Sequence, residues 1–181
     1  MIRITSGSAK NTQLNTPEIK DFRAVQDIVK QAVFAIIADK VSDATCLDLF
    51  AGSGSMGLEA LSRGAKRCDF VDEHREAEEA IFANVKKCHF EDKVEIFGKK
   101  AVKFAGHTAN KYDLIFMDPF YEDTKQKFLF KLLERHLNPS GQLVFLHGDK
   151  VKVSDYLTNT GFETITERKF GAGMFTILKL K

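Results

Sequence analysis

The sequence predicts a doubly wound α/β fold, and three observations carry that expectation. Short apolar runs recur along the chain, among them TCLDLF (45–50), YDLIFMD (112–118) and QLVFLH (142–147). Such runs suit parallel strands covered on both faces. Segments with apolar residues at helical spacing stand between them. A glycine-rich loop, Gly52-Ser53-Gly54-Ser55-Met56-Gly57, follows the first of these runs and opens a helix.

In chain order, MIRITSGSAKNTQLNT has short alternating pieces and small residues, which suggests a hairpin-like extension over 1–21. In 22–40, Phe22, Val25, Ile28, Val29, Ala32, Val33 and Ile36 form a wide helical stripe. The α/β core is expected over 44–181, so that 1–181 make a single domain. TCLDLF is its first strand, and a helix runs from Gly54 to about Arg63, stopped by Gly64. CDFVD (68–72) is the second strand. A helix over about 75–87 follows, with Ala77, Ala80, Ile81 and Val85 at helical spacing. VEIFG (94–98) is the third strand, followed by a short helix. YDLIFMD is the fourth, and a helix around 124–136 carries Phe128, Leu129, Leu132 and Leu133 on one side. QLVFLH is the fifth. ETITERKFG and MFTILKLK are two further strands joined at the GAG turn (171–173), an antiparallel hairpin.

Composition narrows the function classes. Apolar residues make up 44% of the 181, which suits a globular protein with a sizeable core. No apolar run reaches the roughly 18–20 residues of a membrane span. The N-terminus lacks the apolar stretch of a signal peptide, so a cytoplasmic location is expected. Cys46, Cys68 and Cys88 show no C-x-x-C spacing and are expected as reduced core residues. The five histidines are scattered, and no metal site is expected. A net charge of +2 neither advertises nor excludes nucleic acid. Nothing demands more than a monomer.

The glycine loop fits the G-x-G-x-x-G template, a weak signal by itself. Its context strengthens it. Asp72 ends the second strand, and 72 − 52 = 20 residues separate it from the first glycine. An acid at that distance can accept hydrogen bonds from both ribose hydroxyls of an adenosine. Nicotinamide dinucleotides and S-adenosylmethionine both carry that ribose, and Asp48 separates them. A carboxylate four residues before Gly52 would repel a pyrophosphate held on the glycine amides. It suits the ammonium and sulfonium of S-adenosylmethionine. The plainer alternative is that Asp48 caps a turn and the glycines only permit tight packing.

The fourth strand ends in Met117-Asp118-Pro119-Phe120-Tyr121, at the strand edge that faces the same crevice. Pro119 biases Asp118 toward an extended backbone. A base amine could donate to the carboxylate while its ring lies on Tyr121. A turn with exposed aromatics is the alternative.

DLFAGSGSMGLEALSRGA (48–65) together with DPFY (118–121) resembles the RsmD family of bacterial small-subunit rRNA guanine-N2 methyltransferases. The likeness runs through most of the chain. Arg23, Asp27, Val29, Lys30 and Phe34 match the family's N-terminal helix pattern, and Gly171 its glycine before the last strand. The resemblance implies a Rossmann-like methyltransferase fold, with a seven-stranded sheet whose last strand is antiparallel. It implies S-adenosylmethionine as cofactor and ribosomal RNA or an assembling small subunit as partner. Asp48, Phe50, Ala51, Gly52, Ser53, Gly54 and Gly57 would line the methionine end. Asp72 would hold the ribose, with Lys100 and Ala101 at the adenine. Asp118 and the Pro119 carbonyl would accept from the guanine N2 amine, with Phe120 and Tyr121 against the ring. Arg3, Lys10, Arg23 and Lys30 would meet RNA.

The sequence departs from the family pattern at four places. Phe120 replaces a second proline. Lys100 stands where an acid usually contacts the adenine amine, and a lysine only donates. Ser8, Asn11 and Thr12 thin out the basic residues of the hairpin. Ala24 and Val25 stand where the family tends to have Pro and Thr. The rival readings are an adenine-N6 methyltransferase, an RNA-binding protein that kept the fold without the chemistry and, more distantly, a nicotinamide dehydrogenase.

Overall fold

The computed structural model describes residues 2–20, 22–119, 127–171 and 173–181. The chain opens on a two-stranded ribbon, β1 (Ile2–Arg3) and β2 (Gln13–Leu14), in which Ile2 pairs with Leu14 and Arg3 with Gln13. Helix α1 (Asp27–Ile36) follows, with a 3-10 turn at Ala38–Lys40. The main body alternates β3 (Thr45–Leu49), α2 (Ser55–Ser62), β4 (Arg67–Asp72), α3 (Arg75–Cys88), β5 (Val94–Gly98), α4 (Ala101–His107) and β6 (Tyr112–Met117). It continues through α5 (Lys127–Leu133), β7 (Leu137–Gly148), α6 (Ser154–Leu157), β8 (Phe162–Phe170) and β9 (Gly173–Leu180).

The seven-stranded sheet has the order β5-β4-β3-β6-β7-β9-β8. The first five of these pair in parallel, and β9 runs antiparallel between β7 and β8. The chain leaves β3 toward β4 on one side and returns to β6 on the other. That reversal opens a crevice at the C-terminal ends of β3 and β6, where open α/β sheets bind ligands.

Alternation along the strands sends side chains to two cores. Cys46, Cys68, Phe70, Leu114, Phe116, Val144 and Ile177 face α1, α2 and α3, where Val33, Phe34, Leu58 and Ile81 meet them. Leu47, Leu49, Ile115, Met117, Leu143 and Phe145 face Phe104, Leu129, Phe130 and Leu133 of α4 and α5. All three cysteines are buried and unpaired, as their apolar surroundings predict. No helix among the described residues is long and apolar enough to cross a membrane.

Several boundaries differ from expectation. The helix expected over 22–40 begins at Asp27, because Gln26 is extended (φ −65°, ψ 148°) and the preceding residues run alongside the sheet's crevice. Its apolar stripe is narrower than the sequence suggests, with Ile28 and Ile36 exposed. The helix expected around 124–136 is α5 plus a 3-10 turn at Glu134–His136, and 124–126 lie outside the described residues. Strand β7 starts five residues earlier than QLVFLH, pairing Leu137 with Tyr112 before a register shift. The four-residue α6 has no counterpart in the sequence reading.

The N-terminal ribbon is bolted to α2 through buried charge. Glu59 is fully buried and accepts from the Thr5 N–H at 2.8 Å, the Thr5 hydroxyl at 2.6 Å and Arg63 Nε at 2.8 Å. Lys30 Nζ lies 3.8 Å from the same carboxylate, 3.4 Å from Asp27, and donates to the Arg3 carbonyl. Arg3 closes the set on Asp27 at 3.0 Å. Buried charges persist only when paired in this way.

Candidate active site

Strand β3 delivers Asp48 to the crevice, and the chain then turns through three left-handed residues, Phe50 (φ 60°), Gly52 (φ 54°) and Gly54 (φ 75°). A bulky residue in that region is uncommon, and such strain gathers at binding sites. Gly57, in the first turn of α2, sits where a Cβ would come within 2.4 Å of Phe70 and 2.6 Å of the Cys68 sulfur. Only glycine lets α2 approach β4 so closely.

The loop's amides answer the question the glycines raise. Gly52 N–H donates to Asp72 Oδ2 at 2.9 Å and Gly57 N–H to Asp48 Oδ2 at 2.9 Å. Gly54 N–H donates to the Ala51 carbonyl at 2.7 Å. Three donors that a pyrophosphate would need are thus taken, two of them by the protein's own carboxylates. Asp72 also accepts from the His74 N–H, at 3.0 Å. The arrangement presents carboxylate oxygens to the cavity, which favours a cationic ligand over a phosphate.

That cavity measures about 620 Å³, within the range of small-molecule sites. One wall is the glycine loop, with Asp48, Phe50, Ala51, Gly52 and Ser53. A second comprises Val71, Asp72, Glu73 and His74, with Lys99 and Ala101 from the β5–α4 turn. Asp118 and Pro119 close the third side. The fourth is a strap to which Ile19, Lys20, Phe22, Arg23, Ala24 and Val25 contribute. The Phe22 ring lies against Gly52, 2.6 Å from where a Cβ would stand. A larger, more open hollow of about 730 Å³ lies beside β8 and β9 and takes in Lys152, Glu167 and Met174. It contains none of the residues the sequence points to.

Two carboxyls stand out electrostatically. Burial pushes Asp48 well above the usual carboxylate range, against the Gly57 N–H bond that lowers it, and the charges of Asp118 and Asp72 push the same way. Asp118 keeps an opening onto the cavity, yet protein surrounds most of it, and burial lifts its carboxyl to about 7. Perturbed carboxyls converging on one cleft mark functional sites. Among the described residues no group of three or more His, Cys, Asp or Glu could hold a metal ion.

The structure brings together most of the residues singled out in the sequence. Asp48, Phe50, Ala51, Gly52, Ser53, Asp72, Ala101, Asp118, Pro119 and Arg23 all line the cavity. Gly54 and Gly57 shape it from behind. Lys100 points elsewhere: its side chain is three-quarters exposed and its ammonium lies 3.7 Å from Glu73. Its neighbour Lys99 lines the cavity instead. Arg3 and Lys10 are exposed on the N-terminal extension, away from the cavity wall. Lys30 is fully buried in the Glu59 cluster and offers no surface to a phosphate. Phe120 and Tyr121 lie outside the described residues. The strap was missed because its apolar residues continue the period of α1. A proline at position 24 or 25 would have marked the break.

A family profile described as Conserved hypothetical protein 95 matches residues 2–179. The chain is 33% identical over 160 residues to YlbH of Bacillus subtilis, provisionally named an rRNA methyltransferase, covering 85% of this chain and 86% of that one. It is 29% identical over 133 residues to ribosomal RNA small subunit methyltransferase D of Escherichia coli, covering 74% of this chain and 67% of that one. Among solved structures, yhhF of Escherichia coli, provisionally called a methyltransferase, superposes with a TM-score of 0.85 at 23% identity. That match covers 99% of this chain and 98% of the other, and it is a likeness of fold.

Proposed function

We propose, from the premise that the chain belongs to the Conserved hypothetical protein 95 family, the RsmD-like family its motifs resemble, that it methylates the exocyclic N2 amine of a guanine in 16S ribosomal RNA. Family membership makes it an S-adenosylmethionine-dependent RNA methyltransferase. The base, the position and the small-subunit RNA are the finer parts of the proposal. Its place of action would be the cytoplasm, on ribosomal RNA or an assembling small subunit. The single observation that carries it is that Asp118 and Pro119 share one cavity with Asp48, Asp72 and the glycine loop.

The donor set fits the cofactor. Asp48 would take the ammonium of its methionine end, with Ala51 and Ser53 beside it. Asp72 would take the ribose hydroxyls and Ala101 would lie near the adenine. Glu73, beside Asp72, adds negative charge. S-adenosylmethionine would supply an electrophilic methyl group on a cationic sulfur.

The chain's residues would do the rest. A guanine must leave its stack to enter, at a cost of a few kcal/mol that is least in a loop. Asp118 and the Pro119 carbonyl would accept the two N2 hydrogens, with Tyr121 against the ring. The lone pair of that amine is delocalised into the purine. Two acceptors favour a pyramidal nitrogen and aim it, and positioning of this kind supplies most of the rate. That nitrogen would accept the methyl group, with the bonding pair of the carbon–sulfur bond left on sulfur. The nitrogen then sheds one proton, which the Asp118 carboxylate, poised near neutrality, is suited to receive.

The test is transfer of labelled methyl from S-adenosylmethionine to small-subunit RNA, free and assembled, by the wild type and by Asp118→Ala. The proposal expects label in RNA that disappears in the variant. Label that persists in Asp118→Ala, or none with either substrate, would overturn it.

A further inference from the structure

One buried side chain fastens the segment that leads into the strap to the glycine loop. Asn84 lies on α3, fully buried, on the face that also carries Ala77, Ala80, Ile81 and Cys88. Packing alone would ask for another apolar residue there. Its Oδ1 accepts the Asn15 N–H at 2.7 Å. Its Nδ2 donates to the Asn15 carbonyl at 2.9 Å and to the Ser53 carbonyl at 2.9 Å. The carboxamide therefore holds Asn15 by both backbone groups, as a neighbouring strand would. Its second hydrogen goes to the loop. Both hydrogens are used.

One end of this clamp stands in the wall of the cavity and the other leads into the strap. Ser53 lines it directly, and Asn15 stands four residues before Ile19, where the strap joins its wall. Further along the strap, Phe22 lies on Gly52, one residue before Ser53. The strap thus meets the loop through Phe22, and the segment that leads into the strap meets it through Asn84.

We infer that Asn84 is a positioning residue for methyl transfer, holding the strap closed on the glycine loop so that strap closure and cofactor binding are one linked event. The inference rests on the reading of the cavity as the cofactor site. Linkage makes the coupling reciprocal: a ligand that orders the loop protects the strap, and a loosened strap weakens the ligand.

Two variants of the full chain test it. Asn84→Asp exchanges the donor group for an acceptor facing two carbonyls. Asn15→Pro removes the N–H that Asn84 Oδ1 accepts, together with the exposed Asn15 carboxamide that accepts from Lys87 Nζ at 2.6 Å, at a position that follows a strand residue, the conformation proline requires of its predecessor. The buried face of α3 is unchanged in the second variant, where the helix loses only the exposed Lys87–Asn15 contact, so this variant is expected to fold even where the first does not. Binding of S-adenosylhomocysteine is measured by calorimetry, and trypsin cleavage after Lys20 and Arg23 by mass spectrometry, with and without that ligand. In the wild type the ligand should slow both cleavages. In each folded variant binding should weaken about tenfold, within the usual span of site-to-site coupling, and the protection should be lost. Variants that melt earlier yet bind as tightly and protect as fully would assign Asn84 to fold stability alone and overturn the inference. A wild type that binds no S-adenosylhomocysteine would overturn the reading of the cavity itself, and this inference with it.

Discussion

Replacing Asp48 by asparagine should move stability and binding in opposite directions. Asp48 is only 2% exposed, and among the described residues its hydrogen-bond partner is the Gly57 N–H at 2.9 Å. An asparagine oxygen can accept that same bond, so the geometry survives. The negative charge goes, and with it the burial cost and the repulsion from Asp118 and Asp72 that push this carboxyl up. A carboxyl raised in the folded state makes the protein less stable as pH climbs above the group's unfolded value. The asparagine variant lacks that penalty, so at neutral pH it should melt at the same temperature as the wild type or higher. Binding should suffer. A hydrogen bond to a charged group is worth about 1.5–3 kcal/mol, which converts to about 10- to 150-fold weaker S-adenosylhomocysteine. Calorimetric titration and a thermal melt on the same samples read both effects. An asparagine variant that binds as tightly as the wild type would refute the ammonium-holding role. One that binds weakly because it no longer folds would refute the electrostatic argument.

The Asp118 carboxyl, lifted to about 7, predicts that kcat/KM for RNA rises with pH through about 7 and then levels as the acceptor becomes fully charged. Asp118→Asn should give a low, flat profile. Gly57→Ala places a methyl 2.4 Å from Phe70 and should lower stability by about 1–3 kcal/mol in urea titration, despite alanine's better helix propensity. Lys30→Ala leaves Glu59 and Asp27 short of a cation in a buried network. It should cost about 3–5 kcal/mol while leaving the salt dependence of RNA binding unchanged. Arg23→Ala, at the exposed cavity rim, should do the reverse and reduce that salt slope by about one.

The parts of this molecule that follow a short period were readable in its sequence. The buried strands announce themselves as apolar runs, and Asp48 and Asp118 are legible because one lies near the C-terminal end of such a run and the other closes one, both at the crevice edge. Asp72 is legible from its distance to Gly52. What could not be read depends on contacts between distant segments. Residues 22–25 continue the apolar spacing of α1, yet Phe22 packs on Gly52 and the helix begins only at Asp27. Lys30 looks like a surface cation until Glu59, 29 residues away, is seen to bury it. Lys99 and Lys100 cannot be ranked from sequence, since one turn of backbone decides which faces the cavity. Asn84 did leave a signal, a carboxamide in the apolar stripe of α3, but its partners Asn15 and Ser53 lie 69 and 31 residues away.

The most direct test of the central claim is the identity of the methylated nucleoside. Small ribosomal subunits from cells lacking this protein would be incubated with the wild-type chain and labelled S-adenosylmethionine, the RNA digested, and the nucleosides separated by chromatography with mass detection. N2-methylguanosine is the expected product, absent when Asp118→Ala replaces the wild type. N6-methyladenosine in its place, or label confined to another nucleoside, would contradict it.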